Sequence, residues 1–228
     1  MTYDHPEFAG SKVHAKVLRP KDSATLILIR RDAQQPRILM GQRSGGHAFM
    51  PNKYVFPGGR LDAADSRVKP ARDLAPATLA KLLARMRGRP SAARARGLAH
   101  AAIRETYEEA GLLFGRQRIE DRPDLSGLTL FARAITPPGR TRRYDSRFFV
   151  GAAEEIANLD APHHDGGGEL LTLSWLTLDD IAGLDLPLIT IDVLQRLKPF
   201  LDRGRLPAPD CPASFQYYRR KTWIEDAI

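Results

Sequence analysis

Three glutamates, Glu105, Glu108 and Glu109, stand at i, i+3 and i+4 in the octet Arg104-Glu105-Thr106-Tyr107-Glu108-Glu109-Ala110-Gly111. On a helix this spacing puts all three on one face, within reach of a common point. Like charges so placed destabilise an isolated helix by roughly 0.2–0.5 kcal/mol per pair, and by more where water is excluded. Hard divalent cations remove that penalty, and an oxygen-only ligand set suits Mg2+ or Mn2+. The alternative is an acidic face that is merely solvated. The opposite stripe, Ile103, Thr106, Tyr107 and Ala110, is core-facing. Ser91 is the N-cap candidate for this helix and Gly111 its terminus.

Upstream, Tyr54, Val55 and Phe56 read as a short strand ending at Pro57, followed by Gly58 and Gly59. Two glycines let a backbone approach a ligand closely, and a glycine carbonyl there can bind a metal. After five intervening residues stands an acid, Asp65.

Taken together, the glycine pair, Asp65 and the octet resemble the two halves of the Nudix box. Asp65 occupies a slot that is usually Glu, and residues 66–103 stand where the family usually has seven residues. The resemblance implies an α/β fold, a Nudix-type α/β/α sandwich with a central mixed sheet and a helical insertion inside the box. It implies hydrolysis of a phosphoanhydride with Mg2+ or Mn2+ held by Glu105, Glu108, Glu109 and the Gly59 carbonyl. Arg104, four residues before Glu108, would orient that carboxylate by an ion pair, and Glu109 or Glu108 would act as the base. The strings FMPNKYVFPGGRLDAAD (49–65) and TPPGRTRRYDSRFF (136–149) are similar to segments of the branch that includes the animal peroxisomal coenzyme A diphosphatases, as is the split of the box. A second coenzyme A signature fits in spacing from Arg43-Ser44 but has Ala48 in its second Arg slot and Asn52 in its Gly slot. Arg43, Arg142 and Arg143, with Tyr144, are the candidates for binding the substrate's phosphates, since guanidinium groups pair with phosphate through two parallel hydrogen bonds.

The net charge of +8 lies wholly in 66–103, which holds nine basic residues and one acid, while the remainder is balanced. Such a patch can steer phosphorylated substrates or be a solvated helical surface, and the second reading is preferred. No Phe, Tyr or Trp occurs in 61–99, which argues against stacking on nucleic acid bases. Within the insertion, Leu79, Leu82, Leu83 and Met86 mark an amphipathic helix over 74–87 that packs on the body or on a partner subunit, so a homodimer stays open. A single cysteine, Cys211, forms no internal disulfide, and no run approaches a membrane span, so a soluble cytoplasmic protein acting on a small-molecule diphosphate is expected.

The rest reads as one domain over 1–228, with the insertion at about 66–98 and a tail at about 207–228. Strands are expected at 25–29 and 37–41 as a hairpin, then at 128–134, 147–150 and 170–176. Asp165 and Glu169, in a glycine-rich loop, are candidates for a further ligand or the base. Thr177 and Asp180 make a capping box, and 190–201 has helical spacing. The tail, aromatic and basic at 215–220, has three readings: it binds a partner protomer, lines the pocket or lies on the surface.

Overall fold

The computed structural model describes residues 18–46, 51–140, 142–160, 170–220 and 222–228. Its central strand is β1 (Lys21–Arg30), buried on both faces: Ala24, Leu26 and Leu28 meet one core, Ile27 and Ile29 the other. Side chains alternate along a strand, so an apolar run without polar breaks suits a strand covered twice. β1 pairs in parallel with β6 (Tyr144–Ala152) and antiparallel with β2 (Arg37–Arg43). The sheet runs β3 (Tyr54–Val55), β2, β1, β6, β5 (Thr129–Ile135), β8 (Ser214–Arg219), β9 (Thr222–Ala227). β4 (Gly58–Arg60) adds to β1 and β7 (Leu170–Leu176) to β2.

Helices α1 (Pro76–Leu83) and α2 (Ala92–Ala110) cover one face through Leu82, Leu98, Ala102 and Ile103. On the other, α3 (Leu178–Ile181) and α4 (Leu188–Leu201) contribute Ile181, Val193, Leu194 and Leu197. The result is an α/β/α sandwich around a mixed sheet. Burying each such side chain contributes roughly 1.5–3 kcal/mol. The Ser91 hydroxyl accepts from Arg94 N–H at 3.3 Å, Gly111 closes α2 at φ 69, and Thr177 with Asp180 forms the capping box.

One expectation is corrected and one open reading is narrowed. The helix expected over 74–87 ends at Leu83, because Ala84 is extended and Arg85 takes φ 57. This exit keeps Met86 in the core and lets the Arg133 guanidinium donate to the Arg85 carbonyl at 3.0 Å. Of the three readings left open for the tail, the one in which it lines the pocket agrees with the structure: β8 pairs in parallel with β5 and β9 antiparallel with β8, so the tail extends the sheet, and Gln216, Trp223 and Glu225 line a large cleft.

The insertion's cations are largely fastenings. Arg72 pairs with Asp124, Arg85 with Asp226, Arg94 with Asp22, and Arg96 with Asp73 at 2.7 Å. Lys81 is buried and donates to the carbonyls of Leu130 and Cys211, each at 2.7 Å. On the same side of the sheet, Arg133 grips both oxygens of Asp145 at 2.8 Å, and Arg147 bridges Asp145 and Asp22. All of Arg133, Asp145 and Arg147 are at most 2% exposed.

Candidate active site

The glutamate helix meets the glycine loop where α2 packs on β4. Glu109 is buried and accepts the Gly58 N–H at 2.9 Å, tying loop to helix. A Cβ on Gly58 would meet the Ala24 carbonyl oxygen at 2.5 Å, and one on Gly59 would fall inside the Glu105 carboxylate. Gly58 is therefore required by contact with the backbone, whereas a side chain at Gly59 would displace the Glu105 carboxylate.

Arg104 is the hub of this corner. Its guanidinium reaches Glu108 at 2.8 Å, Glu105 at 3.0 Å and Asp65 at 3.0 Å, and donates to the Arg60 carbonyl at 3.0 Å. Burial works against its charge, but the Asp65 hydrogen bond and the neighbouring carboxylates outweigh that and raise its pKa. Asp65 lies behind Arg104, 1% exposed, on a short 3-10 turn (Asp65–Arg67). His100 Nδ1 is 2.9 Å from one of its oxygens, and the Asp62 N–H donates to the other at 2.8 Å. A carboxylate can only accept, so Nδ1 carries the proton. Burial pushes the Asp65 carboxyl up, yet the hydrogen bonds from His100, Arg104 and Asp62 bring it down to about 2.

Among the described residues, no three His, Cys, Asp or Glu side chains stand close enough to grip an ion as they are placed. Glu105 and Glu108 are turned onto Arg104, and Glu109 onto Gly58. The donor set is nonetheless all oxygen.

Glu105 and Glu108 open into a cleft of about 1610 Å³. Arg43, Arg142, Arg143 and Tyr144 line the same cleft, whereas Glu109 and Asp65 lie behind its wall. Arg143 is positioned by donating to the carbonyls of Thr136 at 2.9 Å and Leu18 at 2.6 Å. Asp165 and Glu169 lie outside the described residues. Sequence reasoning missed Lys21, Lys53, Arg60 and Arg140, which add to the basic lining. Arg60 had a signal, its place next to Gly59, and Arg140 another, its place two residues before Arg142; Lys21 and Lys53 are gathered only by the fold. Also missed was His100 as the partner of Asp65, for which the signal is its spacing of one helical turn from Arg104.

No family model matches the chain. A Nudix hydrolase from Alicyclobacillus acidocaldarius is similar in structure, with a TM-score of 0.59 at 23% identity over 78% of this chain and 90% of that one. The fold is the Nudix fold. The Nudix domain of Shewanella oneidensis NrtR, solved as a complex with ADP ribose, gives 0.50 at 10% identity, covering 80% of this chain and 88% of that one. On this Nudix fold residues 66–103 leave the corner closed, because the short turn at Asp65 packs on α2, where Ser66 lies against Gly97, and the start of α2 is tied to β1 by Arg94 on Asp22. No helix among the described residues is long and apolar enough to cross a membrane.

Proposed function

We propose that the chain is a metal-dependent hydrolase that cuts a phosphoanhydride in a nucleoside diphosphate linked to a second moiety. The observation that carries this reading is the corner: Glu105 and Glu108 gathered on Arg104, with Glu109 bonded to the Gly58 backbone beside them, at one end of a cleft lined by arginines. Its oxygen-only donors fit Mg2+ or Mn2+, which Glu105, Glu108, Glu109 and the Gly59 carbonyl would hold. When bound, the ion supplies charge neutralisation at the diphosphate and a water of lowered pKa. Glu108, with its side chain 52% exposed and facing the cleft, takes the proton of the attacking water. Arg104 orients that carboxylate, Glu109 fixes the glycine loop, and Arg43, Arg142 and Arg143 bind phosphate oxygens, with Tyr144 beside them.

The second moiety is assigned to coenzyme A or an acyl derivative, on the segments at 49–65 and 136–149 and on the arginines that line the cleft, where a 3′-phosphate would meet a cation. The alternative is ADP-ribose or a dinucleotide, supported by the ADP ribose complex of the NrtR domain. A panel of diphosphates with Mg2+ and Mn2+, products identified by mass, tests both. Coenzyme A should yield 3′,5′-ADP and a phosphopantetheine product, and the analogue lacking the 3′-phosphate should lose about ten- to a hundredfold in kcat/KM, the worth of a charged hydrogen bond. Better turnover of ADP-ribose or a dinucleotide overturns the coenzyme A assignment and leaves the hydrolase. Ligand binding without turnover of any diphosphate identifies a catalytically silent sensor.

A further inference from the structure

One row of paired residues crosses the sheet from β4 to β9. Arg60 on β4 faces Ser23 on β1, which faces Ser146 on β6; Ala134 on β5, Gln216 on β8 and Glu225 on β9 follow in register. With strands about 4.8 Å apart, five steps span roughly 24 Å. Paired residues on neighbouring strands present the same face, and all six line the cleft. Residues next to this row on their own strands, Asp22, Asp145 and Arg133, face the opposite way, into the buried ion chain.

The middle of this row is small. Ser23, Ser146 and Ala134 form a floor, the two hydroxyls bonded to each other at 2.7 Å, so no long side chain blocks the path from the glutamate corner. At the far end the walls return. Trp223 lines the cleft there, and Arg196 of α4 ties down Glu225 at 2.7 Å. The corner fixes where the scissile diphosphate sits, and the floor directs one arm of the substrate across β6 and β5 towards the terminal hairpin.

We propose, building on the hydrolase reading, that the hairpin β8–β9 is a distal substrate subsite. It takes a planar group bearing N–H and C=O functions, stacked on Trp223 and hydrogen-bonded by the Gln216 amide. Tryptophan offers a flat apolar face, and a glutamine amide offers a donor beside an acceptor. A nucleobase and the amides of a pantetheine arm share that chemistry.

The experiment uses the full chain with Mg2+ and compares wild type with Gln216→Ala and Trp223→Ala, folding checked by circular dichroism. Substrates are ADP-ribose, coenzyme A and ribose 5-diphosphate, the last having neither base nor amide. The variants should raise KM by roughly ten- to a hundredfold, the range for a lost stacking contact, while ribose 5-diphosphate kinetics move less than about twofold. A rise with ADP-ribose assigns the hairpin to the base; a rise with coenzyme A alone assigns it to the amide arm. Equal changes for all three substrates, or none for any, overturn the subsite. Binding is read separately as fluorescence quenching in wild type against Trp223→Phe, since the chain has only 2 tryptophans. Quenching that depends on Trp223 without hydrolysis sinks the hydrolase reading and keeps the subsite. Hydrolysis with no such quenching and no selective KM change does the reverse, and neither signal sinks both.

Discussion

Charge is concentrated in two regions of this chain, the glutamate corner and the basic insertion at 66–103, and they use it in opposite ways. In the corner, Glu105, Glu108 and Asp65 converge on one guanidinium at the end of a cleft. In the insertion, Arg72, Arg85, Arg94 and Arg96 each meet a carboxylate, most of them on the body, and among the described residues none from 66–103 lines the cleft. Charge density along a sequence therefore does not locate a site. Several charges sharing one partner at a concave surface mark a place where a ligand can take over; pairs away from the cleft mark a fastening.

The largest effect tests the fastening side. Asp145→Asn leaves Arg133 and Arg147 without their shared carboxylate in a site at most 2% exposed. Breaking a buried pair costs about 3–5 kcal/mol, a large part of the 5–15 kcal/mol that holds a typical domain together. The urea midpoint should fall accordingly while kcat of the folded fraction holds. A loss of turnover at unchanged midpoint would put this ion chain in the chemistry and collapse the contrast.

On the other side, Glu108→Gln should lower kcat by at least about 100-fold, the range for a lost proton acceptor or metal group, at an unchanged melting temperature. Glu109→Gln separates two roles, because Glu109 also accepts the Gly58 N–H: it should lower both kcat and the melting temperature. Wild-type rates from both variants would remove the corner from catalysis.

Gly59→Ala probes the same corner without touching a charge. The added methyl displaces only the flexible end of Glu105, so stability should change little. Turnover should fall by up to about 100-fold, as for a misplacement near 1 Å. A normal rate would mean that Glu105 need not stay where it is.

Much of this architecture was legible. The octet, its caps at Ser91 and Gly111, the β1 run and the Thr177–Asp180 box are local patterns with local causes, and each appears where its residues predict. The cleft lining was legible only in part. Arg140, Arg142 and Arg143 stand out as a cluster, but Lys21 and Lys53 join them only through the folding of segments distant in sequence. The tail was the hardest segment. Ser214–Arg219 and Thr222–Ala227 are short and mix aromatic with charged residues; what makes them strands is the free edge of β5, which no local pattern reveals.

Asp65 belongs to both regions, at the border of the insertion yet bonded to the hub. Its folded pKa of about 2 lies below the ordinary 3.8, so its stabilisation is present above about pH 4 and is lost as the pH falls towards 2. The shift corresponds to about 2 kcal/mol. Asp65→Asn should cost about that much at pH 7 and flatten the acid limb of stability, followed by urea unfolding between pH 2 and 6. An unaltered acid limb would show that Arg104 and His100 do not hold this carboxylate in solution.

The smallest effect concerns the insertion's outermost cations, Arg67, Lys69 and Arg89, which are exposed. They lie away from the cleft lining, so the only help they can give a phosphorylated substrate is long-range attraction, screened over about 8 Å at physiological ionic strength. Replacing all three with Gln should lower kcat/KM by no more than about twofold at low salt, and not at all at physiological salt. Arg85 is left out because its pair with Asp226 fastens the insertion to β9, and its loss would mix packing with steering. By contrast, Arg142→Gln, in the cleft wall, should raise KM at both salt concentrations, because a direct contact with phosphate is screened far less than a distant one. If the triple variant instead loses tenfold and keeps that loss at high salt, the insertion touches the substrate and the division between the two charged regions fails.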